Sequence, residues 1–186
     1  GMTYLQRADL VCSSSKRFMN LKLLHACSEL LDLEDIFFND NEIHIRQPKV
    51  KHIIPAHQDN FYFSLEKGLA LTCYIYLTQQ NRSTGGLGFF PSKINNKTIT
   101  HEKSNIEGFS SFNKLKENNP DEFEYPQTQV GDVIFHYCQT FHRADPNYSE
   151  KPTLSLSIRA FSSSNLKKDN SIFSLYRSNL EFNRDE

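Results

Sequence analysis

Hydrophobic and polar residues alternate strictly along residues 153–161 of this chain. Successive side chains of a β-strand point to opposite faces, so this alternation is typical of a strand with one apolar face. Leu154, Leu156 and Ile158 form that apolar face. The opposite face carries Thr153, Ser155, Ser157 and Arg159. We therefore predict a strand here with two chemically distinct faces.

Shorter patterns of the same kind predict further strands. Residues 42–47 alternate, so His44 and Arg46 share one face. Residues 69–78 are rich in branched and aromatic side chains, which favour a buried strand. Further strands are predicted at the apolar run 36–38, at 87–90 and as a pair at 128–137 that breaks at Gly131-Asp132. A turn is predicted at 39–41. Many short strands with turns between them indicate an antiparallel sandwich or barrel.

Helical periodicity is found mainly near the two ends of the chain. Between residues 16 and 33, apolar side chains recur at spacings of three and four. We predict a helix over 16–33 that packs on the outside of the sheet, with the serines at 13–15 as its N-cap. A weaker stripe at 172–180 predicts another helix, and 109–118 fits a short helix inside a long polar segment at 92–124.

Size and composition limit the class of protein. A chain of 186 residues suits one domain, placed at 2–186 with its core at about 40–162, and Gly1 is expected to be a remnant of expression. With 21 basic and 22 acidic residues, the net charge of −1 argues against nucleic-acid binding. The chain shows no secretory leader, no membrane-length apolar run and no paired cysteine motif. A cytoplasmic protein with free thiols and no membrane partner is expected.

Two separate stretches contain candidate metal ligands. In His57-Gln58-Asp59 an imidazole and a carboxylate stand two positions apart, and on an extended strand both would project to one face. His142 follows a predicted strand much later in the chain, so only the fold can bring it to the first pair. Two imidazoles and one carboxylate on one side of a metal leave three positions open, which suits non-haem Fe(II) oxygen chemistry.

The other histidines have simpler explanations at this stage. His136 lies inside a predicted strand and is expected to be a hydrogen-bonded barrel residue. His44, His52 and His101 are assigned to the surface or to loops.

Four segments of the chain resemble the phytanoyl-CoA dioxygenase family of Fe(II)/2-oxoglutarate oxygenases. In order, they are a strand that ends at Gln47-Pro48, the His57-Gln58-Asp59 stretch, residues 85–92, and residues 131–142 followed by Asn147. Together they cover about residues 40–162. The resemblance implies a double-stranded β-helix, which is a jelly roll or cupin-like barrel with flanking helices.

The resemblance also implies a reaction. His57, Asp59 and His142 match the metal ligands of the family, with Fe(II), 2-oxoglutarate and O2 as cofactor and co-substrates. The implied activity is hydroxylation of a small molecule, coupled to decarboxylation of 2-oxoglutarate to succinate. Halogenating relatives have a small residue in place of the carboxylate, so Asp59 favours hydroxylation.

The residues that would hold 2-oxoglutarate are less regular. The family has an arginine at the start of the last core strand, where this chain has Thr153. Arg159 lies on the same strand face and is predicted to supply the cation instead, with Thr153 or Tyr74 adding a hydrogen bond and Gln47 as a further contact. Other possible cations are Lys151, Arg143 and Arg46.

Two other readings of the sequence stay open. The first is a non-catalytic, cupin-like barrel that binds a metal or a small ligand, and the second is a scaffold whose histidines and aspartate are incidental. The segment 92–124 is predicted to be mobile and to lie over the metal-bearing mouth of the barrel, because long connections without periodicity are commonly lids or binding loops.

Overall fold

The computed structural model describes residues 2–91, 97–103, 105–106, 111–112 and 119–165. Residues 111–112 form a strand rather than part of the helix predicted at 109–118. The rest of that prediction largely lies outside the described residues, as does the whole helix predicted at 172–180.

The helices are short and the strands dominate. The helices are α1 (Ala8–Val11), α2 (Ser13–Lys16), α3 (Leu21–Leu31) and α4 (Asp59–Phe63), with 3-10 turns at Pro120–Glu122 and Ser163–Asn165. The strands are β1 (Met2–Gln6), β2 (Ile36–Arg46), β3 (Ile54–His57), β4 (Ala70–Tyr76), β5 (Leu87–Phe89), β6 (Glu102–Lys103), β7 (Ser111–Phe112), β8 (Val133–Tyr137), β9 (His142–Ala144) and β10 (Thr153–Ser162). Within the described residues, no helix has the length and apolar character needed to span a membrane.

Antiparallel pairing arranges the strands in two main sheets. The larger sheet has the order β1-β2-β10-β4-β8, and the smaller has the order β3-β9-β5. The short strands β6 and β7 form a separate ribbon. Strands that are distant in sequence become neighbours in both main sheets, as a site assembled from distant residues requires.

One face of the larger sheet packs against α3. Cys27 of α3 is fully buried among Cys73 and Ile75 of β4 and Leu156 and Ile158 of β10. Burying a large aliphatic side chain such as Leu156 contributes about 1.5–3 kcal/mol to the free energy of unfolding. The stripe at 16–33 therefore forms the predicted helix-on-sheet core.

The other face of the larger sheet is turned towards the smaller sheet. Tyr74 and Tyr76 of β4 pack there against Ile54, Leu87 and Ala144 of the smaller sheet. Two antiparallel sheets that pack on each other, with helices outside them, confirm the mainly β fold class.

The N-terminal region differs from the prediction in three ways. The main helix begins at Leu21 rather than at residue 16, because Asn20 caps it by accepting a hydrogen bond from the backbone N of Leu23 at 3.1 Å. The serines at 13–15 belong to α2 and do not cap α3. β1, which was not predicted, extends the sheet by pairing with β2.

The turn predicted at 39–41 is wrong, because β2 runs straight through these residues. A bulge next to Arg159 in the β2–β10 pairing accommodates Asn39, which lies between the paired residues Phe38 and Asp40 of β2. Tertiary partners satisfy two of the three polar side chains: Asn41 accepts a hydrogen bond from the backbone N of Asp9 at 2.8 Å, and Asp40 pairs with Arg159. These contacts override the local preference for a turn.

We predict that Gly85→Ala destabilises the fold more than Gly131→Ala. The two glycines have φ angles of +81° and +94°, so a Cβ strains the backbone at either position. At Gly85 the new Cβ would also lie 2.5 Å from Nε of Arg46, whereas nothing lies within 4 Å of a Cβ at Gly131. Urea unfolding should show an additional loss of about 1–3 kcal/mol for the Gly85 variant. Equal losses in the two variants would contradict this packing.

Candidate metal centre

Two strand ends and one helix start bring the three candidate ligands together. His57 is the last residue of β3 and His142 the first of β9, and the two pair directly across the antiparallel ladder. Asp59 is the first residue of α4, so the prediction that it extends the strand with His57 is wrong. The chain leaves the strand after His57, and this change of direction lets Asp59 approach both imidazoles.

The ligand atoms have the separations expected for a shared ion. One ligand atom from each of His57, Asp59 and His142 lies within 4.8 Å of the others. Oδ1 of Asp59 is 3.6 Å from Nε2 of His57 and 3.6 Å from Nε2 of His142. The two imidazole centroids are 4.3 Å apart. Such separations fit donors that each bind one divalent ion at about 2.0–2.2 Å.

Backbone carbonyls fix the orientation of both imidazoles. Nδ1 of His57 lies 2.8 Å from the carbonyl oxygen of Pro55, and Nδ1 of His142 lies 3.0 Å from that of Thr140. A carbonyl oxygen only accepts hydrogen bonds, so each Nδ1 carries a proton, and Nε2 is the nitrogen that can offer a lone pair to a metal. This is the arrangement that metal-binding histidines generally have.

A hydroxyl and two imidazoles surround the carboxylate of Asp59. Thr72 donates a hydrogen bond from Oγ1 to Oδ2 of Asp59 at 2.7 Å. Burial alone would raise the pKa of Asp59, but His142 and His57 outweigh it and hold that pKa well below its usual value. Burial, reinforced by His57, holds the pKa of His142 well below its usual value. At neutral pH Asp59 is therefore a carboxylate and His142 a neutral imidazole, the forms that bind metals.

A cavity of about 450 Å³ lies beside the three ligands. Side chains of the larger sheet form its polar wall, which includes Asp40, Glu42, His44, Ser157 and Arg159. Ser157 and Arg159, from the polar row of β10 that alternation predicted, thus face the cavity. The volume is in the range of small-molecule binding sites.

Two of the four residues predicted to hold 2-oxoglutarate line this cavity. Tyr74 is one of them and Arg159 is the other. Arg159 already makes two ion pairs, from Nη1 to Oδ1 of Asp40 at 2.8 Å and from Nη2 to Oε2 of Glu42 at 2.6 Å. Burial would lower the pKa of Arg159, but these two carboxylates raise it above its ordinary value. Arg159 is therefore a cation whose charge is balanced by Asp40 and Glu42 of the cavity wall.

The other two predicted residues, Thr153 and Gln47, lie outside the cavity wall. Thr153 is buried, and its hydroxyl donates to the carbonyl oxygen of Thr84 at 3.2 Å. It pairs with Arg46 at the last position of the β2–β10 ladder. Gln47 follows this position and is exposed. The strand ends before either side chain can reach the cavity.

Sequence reasoning placed His44 incorrectly and did not foresee that His136 borders the cavity. His44, assigned to the surface or a loop, lines the cavity from β2, whereas His136 lies inside β8 as predicted and lines the cavity as well. Nε2 of His44 lies 2.9 Å from Oγ of Ser157, and burial lowers its pKa to about 4. His101 is buried, and its Nε2 accepts a hydrogen bond from the backbone N of Gln58 at 3.0 Å. Alternation had put His44 on a polar face, but the pattern could not tell that this face points inward.

Part of the segment 92–124 packs against the turn that carries the ligands. The side chain of Gln58 accepts a hydrogen bond from the backbone N of Ile99 at 2.9 Å, and Asn60 donates to Oγ1 of Thr98 at 2.6 Å. None of the segment's described residues lines the cavity. These contacts support the metal-bearing turn from outside, and the predicted mobility of the segment stays a prediction.

Solved structures share this fold at low sequence identity. The epimerase SnoN in complex with Fe3+, alpha ketoglutarate and nogalamycin RO matches with a TM-score of 0.68 and 20% identity, over 87% of this chain and 63% of SnoN. EvdO2 from Micromonospora carbonacea var. aurantiaca, complexed with 2-oxoglutarate, matches with a TM-score of 0.72 and 16% identity, over 87% of this chain and 67% of EvdO2. The non-heme monooxygenase ThoJ matches with a TM-score of 0.72 and 17% identity, over 85% of this chain and 58% of ThoJ. The chain thus spans only about three fifths to two thirds of these proteins, and the likeness establishes the fold alone.

Sequence comparison gives the family. No curated protein matches the chain significantly. The phytanoyl-CoA dioxygenase (PhyH) family model matches residues 8–153, a range that contains His57, Asp59 and His142. Because the match covers most of the chain, this protein belongs to the phytanoyl-CoA dioxygenase (PhyH) family.

Proposed function

We propose that this protein is a non-haem Fe(II)- and 2-oxoglutarate-dependent dioxygenase that hydroxylates a small molecule. The observation that carries the proposal is the convergence of His57, Asp59 and His142 beside a cavity. Two imidazoles and one carboxylate on one side of an ion leave the opposite side for exogenous ligands. Family membership and the 2-oxoglutarate complexes of proteins with this fold support the proposal.

The donor set fits a catalytic ion better than a structural one. Structural zinc sites are closed by four protein ligands, whereas the described residues bring three donors together here. Nitrogen and oxygen donors of this kind suit Fe(II). Bound Fe(II) would supply the reduction of O2, coupled to decarboxylation of 2-oxoglutarate to succinate and to hydroxylation of a substrate C–H bond.

The protein side chains have separate tasks in this proposal. Asp59 would balance part of the charge of a bound ion and take a place that a halide would otherwise need, which favours hydroxylation over halogenation. Thr72 holds the carboxylate in place through its hydrogen bond. Ile54 and Leu87 give the cavity an apolar patch, which limits water near the reacting groups.

The main alternative is a barrel that binds a metal or small ligand without turnover. The similar structures include an epimerase and a monooxygenase, so the fold does not determine the reaction. The alternative predicts metal binding without consumption of 2-oxoglutarate.

We predict that the protein, supplied with Fe(II), ascorbate and O2, converts 2-oxoglutarate to succinate, and that Asp59→Ala abolishes this conversion. The variant loses one of three donors, so Fe(II) affinity should fall with it. Glu34→Ala, which removes an exposed carboxylate, is the matched control. Succinate measured by chromatography and Fe(II) measured by titration give the two readouts. Normal Fe(II) binding by the wild type without any succinate would favour the non-catalytic barrel.

We predict that Thr72→Val weakens Fe(II) binding about 10- to 100-fold, the usual effect of removing a residue that supports a metal ligand. The substitution keeps the shape of the side chain but leaves Oδ2 of Asp59 without its hydroxyl donor. Thr72→Ser keeps the hydroxyl and should bind Fe(II) nearly as the wild type does. Equal affinities of the Val and Ser variants would show that the hydrogen bond does not position Asp59.

The far carboxylate of 2-oxoglutarate needs a cation, and Arg46 competes with Arg159 for this role. An anion beside Arg159 would also face Asp40 and Glu42, which already pair with it. Arg46 is buried on the same sheet face. Its Nη2 donates to the carbonyl oxygen of His52 at 3.0 Å and to that of Asp145 at 2.5 Å. Arg46 does not itself line the cavity, but its long side chain starts two positions from the cavity-lining His44 on the same strand face. An anion bound there would lie beyond the Asp40 and Glu42 carboxylates that pair with Arg159, and we therefore propose Arg46 for this role.

We predict that Arg46→Gln weakens 2-oxoglutarate binding about 10- to 100-fold, as expected when a hydrogen bond to a charged group is lost. Arg159→Gln should mainly lower the free energy of unfolding, because it leaves two carboxylates without their cation. Calorimetric titration of 2-oxoglutarate into the anaerobic Fe(II) protein measures the first effect, and urea unfolding measures the second. If only the Arg159 variant lost affinity for 2-oxoglutarate, Arg159 would be the cation that binds this co-substrate, as first predicted from the sequence.

A further inference from the structure

His136 is a buried histidine to which the proposed metal site assigns no task. Only 4% of it is exposed, yet its side chain lines the cavity. Its Nδ1 is buried and has no hydrogen-bond partner within the part of the chain that the structure describes. Burial lowers the pKa of His136, and a hydrogen bond with the backbone of Tyr137 partly offsets this effect. Buried polar atoms in folded proteins nearly always have a partner, so the unpartnered nitrogen is suited to meet a ligand.

Neighbouring strands place His136 at the edge of the metal centre. It pairs with Thr72 across the β4–β8 ladder, so the two side chains share a sheet face. Its ring centroid is 4.6 Å from that of His142 and 5.4 Å from that of Phe89. His136 is not among the three residues whose ligand atoms converge. It therefore stands beside the ligands without belonging to them.

We propose that His136 donates a hydrogen bond to an anionic group bound at the open side of the metal, and that this group is a carboxylate of 2-oxoglutarate. The assignment rests on the proposed function. Imidazole has at least one N–H in either protonation state, and a hydrogen bond to a charged acceptor is stronger than one between neutral groups. Contact with Phe89 and His142 limits the movement of the ring, so little conformational freedom is lost on binding.

Three substitutions separate this role from a purely structural one. His136→Phe keeps a flat ring beside Phe89 but removes both nitrogens. His136→Asn places an amide N–H near the position of Nδ1, and His136→Gln places one near that of Nε2. His25→Phe is the matched control, because it removes an exposed imidazole of α3 that does not line the cavity.

The readouts are two affinities, each measured without oxygen. Calorimetry gives the affinity of the protein for Fe(II) alone, and then that of the Fe(II) protein for 2-oxoglutarate. The visible absorption of 2-oxoglutarate chelated to Fe(II) checks the second value. We expect His136→Phe to bind 2-oxoglutarate at least about tenfold more weakly, with Fe(II) affinity within about twofold of the wild type. One of the two amide variants should regain much of the loss.

The possible results have distinct meanings. Unchanged 2-oxoglutarate affinity in His136→Phe, or an equal loss in His25→Phe, would overturn the assignment. A parallel loss of Fe(II) affinity would also overturn it, because His136 would then be a fourth ligand. If the wild-type Fe(II) protein itself did not bind 2-oxoglutarate, the proposed function would fail first, and the role of His136 would fall with it.

Discussion

The direct pairing of His57 with His142 across β3 and β9 is the constraint on which the site depends. Backbone hydrogen bonds of an antiparallel ladder hold these two residues together and place their imidazole centroids 4.3 Å apart. Carbonyl oxygens then fix both rings through Nδ1. Asp59 completes the group from the first turn of α4, and Thr72 of the larger sheet holds its carboxylate. Both sheets therefore contribute to the metal centre.

The larger sheet gives the protein its core and its cavity through one alternating pattern. On β10, Leu156 and Ile158 pack towards α3, while Ser157 and Arg159 face the cavity. A shift of one residue in register would exchange the two rows, so the pattern defines the position of the strand strongly. Arg159 and its two carboxylate partners are costly to desolvate, and apolar side chains could replace them with little loss of stability. We infer that function, rather than stability, explains this polar wall.

Much of this arrangement can be predicted from the sequence, because it follows from local periodicity. The alternation at 153–161 and the stripe that became α3 depend on residue types at regular spacings. The three metal-ligand candidates came from the His57-Gln58-Asp59 stretch, the place of His142 after a predicted strand, and the resemblance to the family. The continuous strand through 39–41 could not be predicted, since its polar side chains find their partners in distant parts of the chain. The position of Asp59 on a helix was missed because two residues are too few to distinguish a strand from a turn.

The roles of the cavity histidines required the tertiary structure. Alternation assigns His44 to a sheet face, but only the packing of the smaller sheet and of β1 makes that face an interior one. His136 looked like an ordinary strand residue until the β4–β8 register placed it opposite Thr72. Periodicity gives the faces of each element, whereas the partners of a face depend on the order of strands.

Anomalous diffraction at the iron absorption edge, on crystals grown anaerobically with Fe(II), tests the central claim most directly. The account predicts one strong peak bound by Nε2 of His57, Nε2 of His142 and a carboxylate oxygen of Asp59, at about 2.0–2.2 Å from each. The side of the ion that faces the cavity should carry no protein ligand. A peak elsewhere in the protein, or a fourth protein ligand on the cavity side, would contradict the account.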